Sequence, residues 1–411
     1  MVPAPVDAAD QAPDVRIAAA LPRRMHVGSV LLIDATLVNC AEAPLASAAP
    51  HPLSICYRWH DPADETLVLE GQRAPLRTVL APGASLQRTV ELLVPERAGE
   101  LVLVLTLVRE GVSWLDEGDR NALVTHVELV DDGSGADLDA QLCARFPPPW
   151  RPFAEAYPIV HGRFLDYALE LRPLRELFRS GADLPRCFGA GLDERVVEYP
   201  WLLSQRLGGR VLDAGSALNN SRMLDSLLPR VSELHIVTLR PERQAAWQRG
   251  VSYTFADVRE LPYRDDLFAV VACVSTLEHV GMDNRAYGDD RPPAADADAE
   301  RLRAASELWR VVKPGGSLLI TVPCGRYADH GWFATLDVAR LEAIAGRLCP
   351  EAFTIELFRV GRDGWRRAPA SAVSGLVSRD SRREPVDRDG AVAARAVACV
   401  RLTKSAGPHG C

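Results

Sequence analysis

Several things are missing from this 411-residue chain. Its apolar runs, such as Leu101-Val-Leu-Val-Leu105, fall far short of the roughly 18 residues a membrane span needs, so no integral membrane segment is expected. The N-terminus, Met1-Val-Pro-Ala-Pro5, has no basic stretch followed by an apolar one, and does not read as a secretory signal. The nine cysteines (40, 56, 143, 187, 273, 324, 349, 399 and 411) contain no Cys-x-x-Cys pair. That argues against structural zinc and for reduced thiols in a cytoplasmic protein. Positive charge is also scarce, with 47 Lys+Arg against 55 Asp+Glu and a net charge of −8. Without a long basic run, general nucleic-acid or anionic-membrane binding is excluded. The one Arg-rich stretch, 379–389, alternates in sign and reads as a solvated loop.

What remains is an ordinary globular composition, 47% hydrophobic and 25% charged, long enough for two or three domains. Residues 1–21, rich in Ala, Pro and Asp, read as a disordered leader. From 22 to 131 the pattern is nearly all strand: 29–38, 53–59, 65–70, 76–80, 86–94, 100–110 and 122–130, with turn signals such as Ala81-Pro-Gly83 between them. Seven short strands at this spacing predict an immunoglobulin-like β-sandwich. Asp131-Asp-Gly-Ser-Gly-Ala136 marks a boundary, and Phe146-Pro-Pro-Pro-Trp150 a stiff spacer. The segment 132–200 is read as linker and helices, and 405–411 as a tail.

From 201 to 404 strands and helices alternate. Strands are expected at 210–214, 233–239, 252–255, 268–275, 317–322, 353–360 and 393–402. Helices are expected at 221–228, 241–249, 297–312 and 337–348. This alternation predicts a doubly wound, mainly parallel α/β sheet of Rossmann-like type, whose last two strands form an antiparallel edge hairpin. In such a sheet the ligand lies beyond the carboxyl ends of the strands, near the switch in strand order. The candidate pocket walls are therefore 213–220, 238–242, 255–258, 275–279 and 323–327.

Four segments, in order, resemble a class I S-adenosylmethionine-dependent methyltransferase. They are Val211-Leu-Asp-Ala-Gly215, Phe255-Ala-Asp-Val-Arg-Glu-Leu-Pro-Tyr263, Phe268-Ala-Val-Val-Ala-Cys-Val-Ser-Thr-Leu-Glu-His279 and Leu308-Trp-Arg-Val-Val-Lys-Pro-Gly-Gly316. The resemblance implies S-adenosyl-L-methionine as cofactor. It places Asp213 and Gly215 in the loop under the methionine and ribose, and Asp257 on the adenine amino group with the Val258 N–H beside it. Asn219, Thr238 and Ser275 complete the implied cofactor wall. Gly215 suits a close backbone approach because it has no Cβ. Two positions depart from the family. Ala217 and Asn219 stand where the loop's second and third glycines are usual, although Asn tolerates left-handed backbone. Thr238 stands where an acid usually grips the ribose, and a hydroxyl is the weaker partner.

Methyl transfer to a hydroxyl requires alignment of acceptor, methyl and sulfur and removal of the acceptor's proton. His279 is the first candidate base, with Glu278 orienting it or facing the acceptor. His330 is the second, with Tyr327 and Trp332 as an acceptor platform. Each has a plainer reading: His279 as a structural strand end, His330 as a hydrogen-bonded loop residue, Asp257 as a helix cap. Some relatives hold a divalent ion through Glu-x-x-Glu-His, but Ser275 removes the first carboxylate, so no metal is expected. The segment Glu194–Trp201 reads either as a lid over the cofactor or as an apolar plug on the sheet edge.

The N-terminal segment is similar, through Pro52–Trp59, Glu70–Leu76, Ala81–Gly83 and Val108–Trp114, to the glycan-binding β-sandwich fused to polysaccharide ABC-transporter ATPases. That resemblance implies a saccharide acceptor, surface-glycan biosynthesis and glycan-assembly partners, with Trp59 or Trp114 either stacking on a sugar or filling the core. Two rival readings are a catalytically degenerate glycan-binding scaffold and a methyltransferase acting on a lipid, quinone or other small molecule.

Overall fold

The computed structural model describes residues 13–47, 51–116, 121–133, 137–146, 157–242, 244–384 and 390–407. Outside the described residues lie the first twelve of the expected leader, Ser134–Ala136 of the boundary, Pro147–Trp150 of the spacer, Pro385–Asp389 of the charged loop and the last four of the tail. The chain divides into two compact units, Met1–Gln141 and Leu142–Cys411. Among the described residues no helix is long and apolar enough to cross a membrane.

The first unit, in its described residues before Leu138, where the helix Leu138–Arg145 begins, holds strands and no α-helix. Its principal strands are β1 (Val15–Ala19), β2 (Arg24–His26), β3 (Val30–Asn39), β4 (Leu53–His60), β5 (Leu67–Glu70), β6 (Ser85–Leu93), β7 (Gly99–Arg109) and β8 (Ala122–Val130). One sheet runs β1-β3-β6 and a larger one β2-β8-β7-β4-β5. Alternation along β7 shows why they pair: Leu101, Leu103, Leu105 and Leu107 are buried, while Val102 and Val104 are half-buried. This period of two puts one face of the strand into the core. The expected leader is corrected in part, because residues 15–19 form β1, antiparallel to β3. Val15 and Ile17 are buried and alternate with the exposed Arg16 and Ala18, a pattern only five residues long inside an Ala/Pro-rich context. Neither tryptophan stands free for a sugar. Trp59 is fully buried and donates from Nε1 to the Leu93 carbonyl. Trp114 carries the guanidinium groups of Arg58 and Arg73 over its ring, at 4.2 and 4.8 Å.

The second unit opens on the end of the helix Leu138–Arg145 and continues with helices α1 (Tyr157–Glu170), α2 (Arg172–Ser180) and α3 (Arg195–Ser204). Then follow β9 (Arg210–Ala214), α4 (Ser221–Leu227), β10 (Glu233–Thr238), β11 (Val251–Phe255), β12 (Phe268–Val274), α5 (Ala297–Val311) and β13 (Val312–Pro323). Last come α6 (Val338–Leu348), β14 (Ala352–Gly361), β15 (Gly364–Arg367) and β16 (Ala396–Thr403). The sheet order is β11-β10-β9-β12-β13-β16-β14-β15. Strands β9 to β13 are mutually parallel, and β16 enters antiparallel between β13 and β14. The expected edge hairpin is thus corrected: β14 and β16 do pair, but the edge belongs to β14 and β15. Strand β12 is apolar on both faces, as a central parallel strand must be. Asn220, Asp296 and Asp337 cap α4, α5 and α6 by accepting from the backbone N–H three residues on.

Two more expectations fail here. Among the described residues of 241–249 only Trp247–Arg249 is helical, a single turn. Trp247 is 55% exposed, so the segment buries no apolar stripe that could hold a longer helix. The thiols are not all reduced either, since Cys143 and Cys187 form a disulfide with Cα atoms 5.2 Å apart. Folding brings together residues 44 positions apart, a pairing that no local spacing announces. Helices α1 and α2 do more than link: Phe164 and Phe178 pack on Phe188, and Phe178 on Phe358 of β14.

Candidate active site

The parallel order reverses at β9, whose neighbours β10 and β12 lead away in opposite directions, and a crevice opens at such a point. A cavity of about 610 Å³ lies there. Its walls come from the ends of β9, β10, β11, β12 and β13, from the start of α3, from the segment 278–289, from Trp332 and Phe333, and from Arg379, Ser381, Ala393 and Ala394. Thr238, Asp257, Val258, Ser275, Glu278, His279 and Gly215 all line it.

The turn after β9 is shaped by two neighbours. Gly215 has φ +108°, and a Cβ there would lie 2.0 Å from Thr276 Oγ1. Asp213 is fully buried beneath the turn, where its Oδ2 accepts from the Leu218 N–H at 2.8 Å and its Oδ1 has no partner. Burial pushes its pKa up to about 7, against the Leu218 hydrogen bond. Asp213 is not on the cavity wall; it braces the turn. Asn219 is also turned away. Its amide donates to Glu242 Oε2 and the Gln244 carbonyl and accepts from the Tyr253 hydroxyl. The substituted glycine loop therefore leaves the hollow open, with Ala217 on its wall.

At the next two strand ends Thr238 and Glu242 line one side, with Asp257 and Val258 beyond them. The carboxylate of Asp257 is heavily engaged. Oδ1 accepts from the backbone N–H and Nε of Arg259, while Oδ2 accepts from Arg259 Nη2 and, at 2.5 Å, from Arg291 Nη2. Burial alone would raise this group, but these hydrogen bonds hold it well below the usual carboxylate range.

The opposite end holds the proton-transfer candidates. His279 Nδ1 lies 2.8 Å from the Trp332 carbonyl. A carbonyl can only accept, so Nδ1 carries the hydrogen and Nε2 the lone pair. Burial pushes this imidazole down to about 4 despite that hydrogen bond. Glu278 is 2% exposed, and burial drives its carboxyl well above the usual range. Its Oε1 stands 3.9 Å from His279 Nε2, beyond hydrogen-bond reach. Ser275 donates at 2.7 Å to Glu198, which Arg195 grips from the other side.

His330 lies apart from this group. Its Nε2 meets the Thr335 hydroxyl and its ring stacks on Phe333 at 4.2 Å, off the cavity wall. Of the expected aromatic platform, Trp332 lies on the cavity wall and Tyr327 does not. Arg340 covers Tyr327 at 3.8 Å, and Arg382 lies 3.7 Å over the ring of Trp332, which also stacks with His279.

Sequence reasoning left open the role of 194–201, and the structure divides the segment between the cavity wall and the core. Glu194 and Arg195 line the cavity, while Trp201 is buried and donates to Glu356. Burial, then the nearby Asp193 and Glu198, push Glu194 up to about 7. The acid-rich spelling Asp193-Glu-Arg at the start of a helix was the available signal.

Residues 212–320 match the family described as methyltransferase domain. A tRNA (carboxymethyluridine(34)-5-O)-methyltransferase from Arabidopsis thaliana is 30% identical over 139 residues, which are 33% of this chain and 30% of that protein. The chain thus spans under a third of the length of this curated relative. Among solved structures, YcgJ from Bacillus subtilis is 14% identical with a TM-score of 0.34, over 51% of this chain and 99% of that one. The CARDB domain of the PF1109 protein from Pyrococcus furiosus is 15% identical with a TM-score of 0.21, over 29% of this chain and 90% of that one. The second unit therefore contains a class I methyltransferase domain, a type of domain that uses S-adenosylmethionine.

Proposed function

We propose that this chain transfers a methyl group from S-adenosylmethionine to a saccharide hydroxyl in surface-glycan biosynthesis. The observation that carries the reading is the open 610 Å³ hollow bounded by Gly215, Thr238 and Asp257 at one end and His279 at the other. That volume lies in the range of small-molecule and cofactor pockets. Asn219, the bulkiest substitution in the loop, is tied back by Glu242 and Tyr253 instead of filling it. The donor set also fits: the Thr238 hydroxyl and Glu242 for ribose, the Val258 N–H for adenine, and the Cβ-free backbone of Gly215 for close approach.

When bound, the cofactor supplies an electrophilic methyl on a sulfonium. The chain's part is to hold the acceptor oxygen in line with it and to receive the proton. In the methyl transfer that the bound cofactor would supply, the acceptor hydroxyl would give up its proton to a residue of this chain. The Nε2 lone pair of His279, a base held near 4, receives it. Glu278 and Ser275 set the polar floor beside it.

A saccharide suits this mixed polar wall, and the chain's net negative charge disfavours a polyanionic acceptor such as RNA. We read the N-terminal unit as an immunoglobulin-like sandwich that positions the glycan or a glycan-assembly partner through surfaces other than Trp59 and Trp114. Calorimetry with S-adenosylmethionine and S-adenosylhomocysteine is the first test. Absence of heat and of a thermal shift at millimolar ligand would identify a scaffold that has lost the cofactor. Mass spectrometry of surface glycan with and without the protein tests the acceptor, and an unchanged glycan would move it to a lipid, quinone or other small molecule.

A further inference from the structure

An ionised carboxylate offers about four lone-pair positions, and in Asp257 all four are filled by Arg259 and Arg291. The four contacts are not equivalent. Three come from Arg259, two residues along the chain, and its remaining arm is pinned to Glu300. Arg259 and Asp257 are both largely buried, with side-chain exposures of 16% and 18%, so this pair belongs to the wall. The fourth contact comes from Arg291, which is 34 residues away and 56% exposed. Arg291 sits on the strap between β12 and α5, whose residues Tyr287, Gly288 and Asp289 form part of the cavity lining. Besides Asp257, Arg291 holds Asp289 of the same strap. A second fastening lies alongside, where the Arg240 side chain packs so closely on Gly288 that a Cβ there would meet its Nε at 1.9 Å.

We infer that Arg291 occupies the position on Asp257 that an adenine amino group takes, and that cofactor binding must displace it. The inference rests on the proposed reading of Asp257 as the adenine acceptor. The guanidinium and the amino group each present an N–H to the same oxygen, the first with the added strength of its charge, so the two compete for Oδ2. Arg291 is the contact that yields, because its strap is exposed and its guanidinium keeps Asp289 as an alternative partner. It therefore sets how tightly the pocket takes a 6-aminopurine, and gives the site a preference for ligands able to replace a charged donor.

Calorimetric affinities for S-adenosylhomocysteine and its deaminated analogue, S-inosylhomocysteine, test this in wild type, Arg291→Ala, Asp257→Ala and the double variant. Removing the competitor should tighten S-adenosylhomocysteine two- to fivefold in Arg291→Ala, the scale of an exposed ion pair. It should leave S-inosylhomocysteine unchanged, and should have no effect in the Asp257→Ala background. Arg291→Lys, which keeps the charge, should stay within twofold of wild type. Equal or weaker S-adenosylhomocysteine binding in Arg291→Ala overturns the inference, as does equal tightening of both ligands. A wild type that binds neither ligand would instead remove the cofactor reading on which it stands.

Discussion

The Nδ1 of His279 and the carbonyl oxygen of Trp332 are 2.8 Å apart, and this contact fixes both the tautomer and the ring orientation of the candidate base. The same burial makes the residue a source of acid sensitivity. Its pKa is about 4 in the folded chain against an ordinary 6.5, so between these values the unfolded chain binds more protons. Stability contributed by neutral His279 is complete above pH 6.5 and is lost as the pH falls towards 4. His279→Asn keeps an N–H for the Trp332 carbonyl and removes the titration. On urea unfolding from pH 7 to 4, wild type should lose on the order of 3 kcal/mol more than the variant. Parallel curves for the two proteins would show that the imidazole titrates normally.

Asp213 acts in the opposite sense. Its carboxyl is raised from 3.8 to about 7, so its contribution is present below pH 4 and is lost as the pH rises through 7. Asp213→Asn keeps an oxygen for the Leu218 N–H and removes the charge. From pH 5 to 9 the wild type should lose about 3 kcal/mol relative to the variant. Glu194 and Glu278 are shifted the same way, but they are common to both proteins and cancel in the comparison. Equal losses would mean that Asp213 ionises freely beneath its turn.

These residues also show which parts of the site could be read from the sequence. Asp213 and Thr238 lie at the ends of strands, and Asp257 and His279 just beyond them, each strand of period two or of unbroken apolar character, so their positions at the sheet's carboxyl edge follow from local pattern. What each side chain does there was not local. Asn219 turns outward because Tyr253 and Glu242, from other elements, claim its amide. Asp257 is saturated because a strap 34 residues on returns over it. Strand β1 has a clear alternation, but too short to outweigh the Ala and Pro around it. The disulfide depends wholly on tertiary approach.

Gly215 is the position where a single methyl should do the most harm. At φ +108° an L side chain is strained, and the new Cβ would meet a hydroxyl already committed to the Val274 carbonyl at 2.9 Å. Gly215→Ala should cost about 2–5 kcal/mol of stability and weaken S-adenosylhomocysteine binding. Adding Thr276→Gly removes the clash but not the backbone strain, so the double variant should recover only part of the loss. Unchanged melting of Gly215→Ala would show that the turn relaxes without cost.

The disulfide joins the site to the covalent structure of the unit. Cys187 lies six residues before Asp193, the residue that receives the N–H of Arg195 and, through Tyr157 and His161, is held against α1. The bond closes a 44-residue separation, for which chain entropy gives about 4 kcal/mol. Cys143→Ser with Cys187→Ser should lower unfolding stability by about 2–4 kcal/mol. Because the freed segment carries Glu194 and Arg195 on the cavity wall, the pair of changes should also weaken S-adenosylhomocysteine binding. Reductant should do the same to wild type and nothing to the variant. Under denaturing, non-reducing conditions maleimide should label Cys40, Cys56, Cys273, Cys324, Cys349 and Cys399 but neither Cys143 nor Cys187. Labelling of those two as well, or a reductant effect that survives in the variant, would sever this link between the bond and the site.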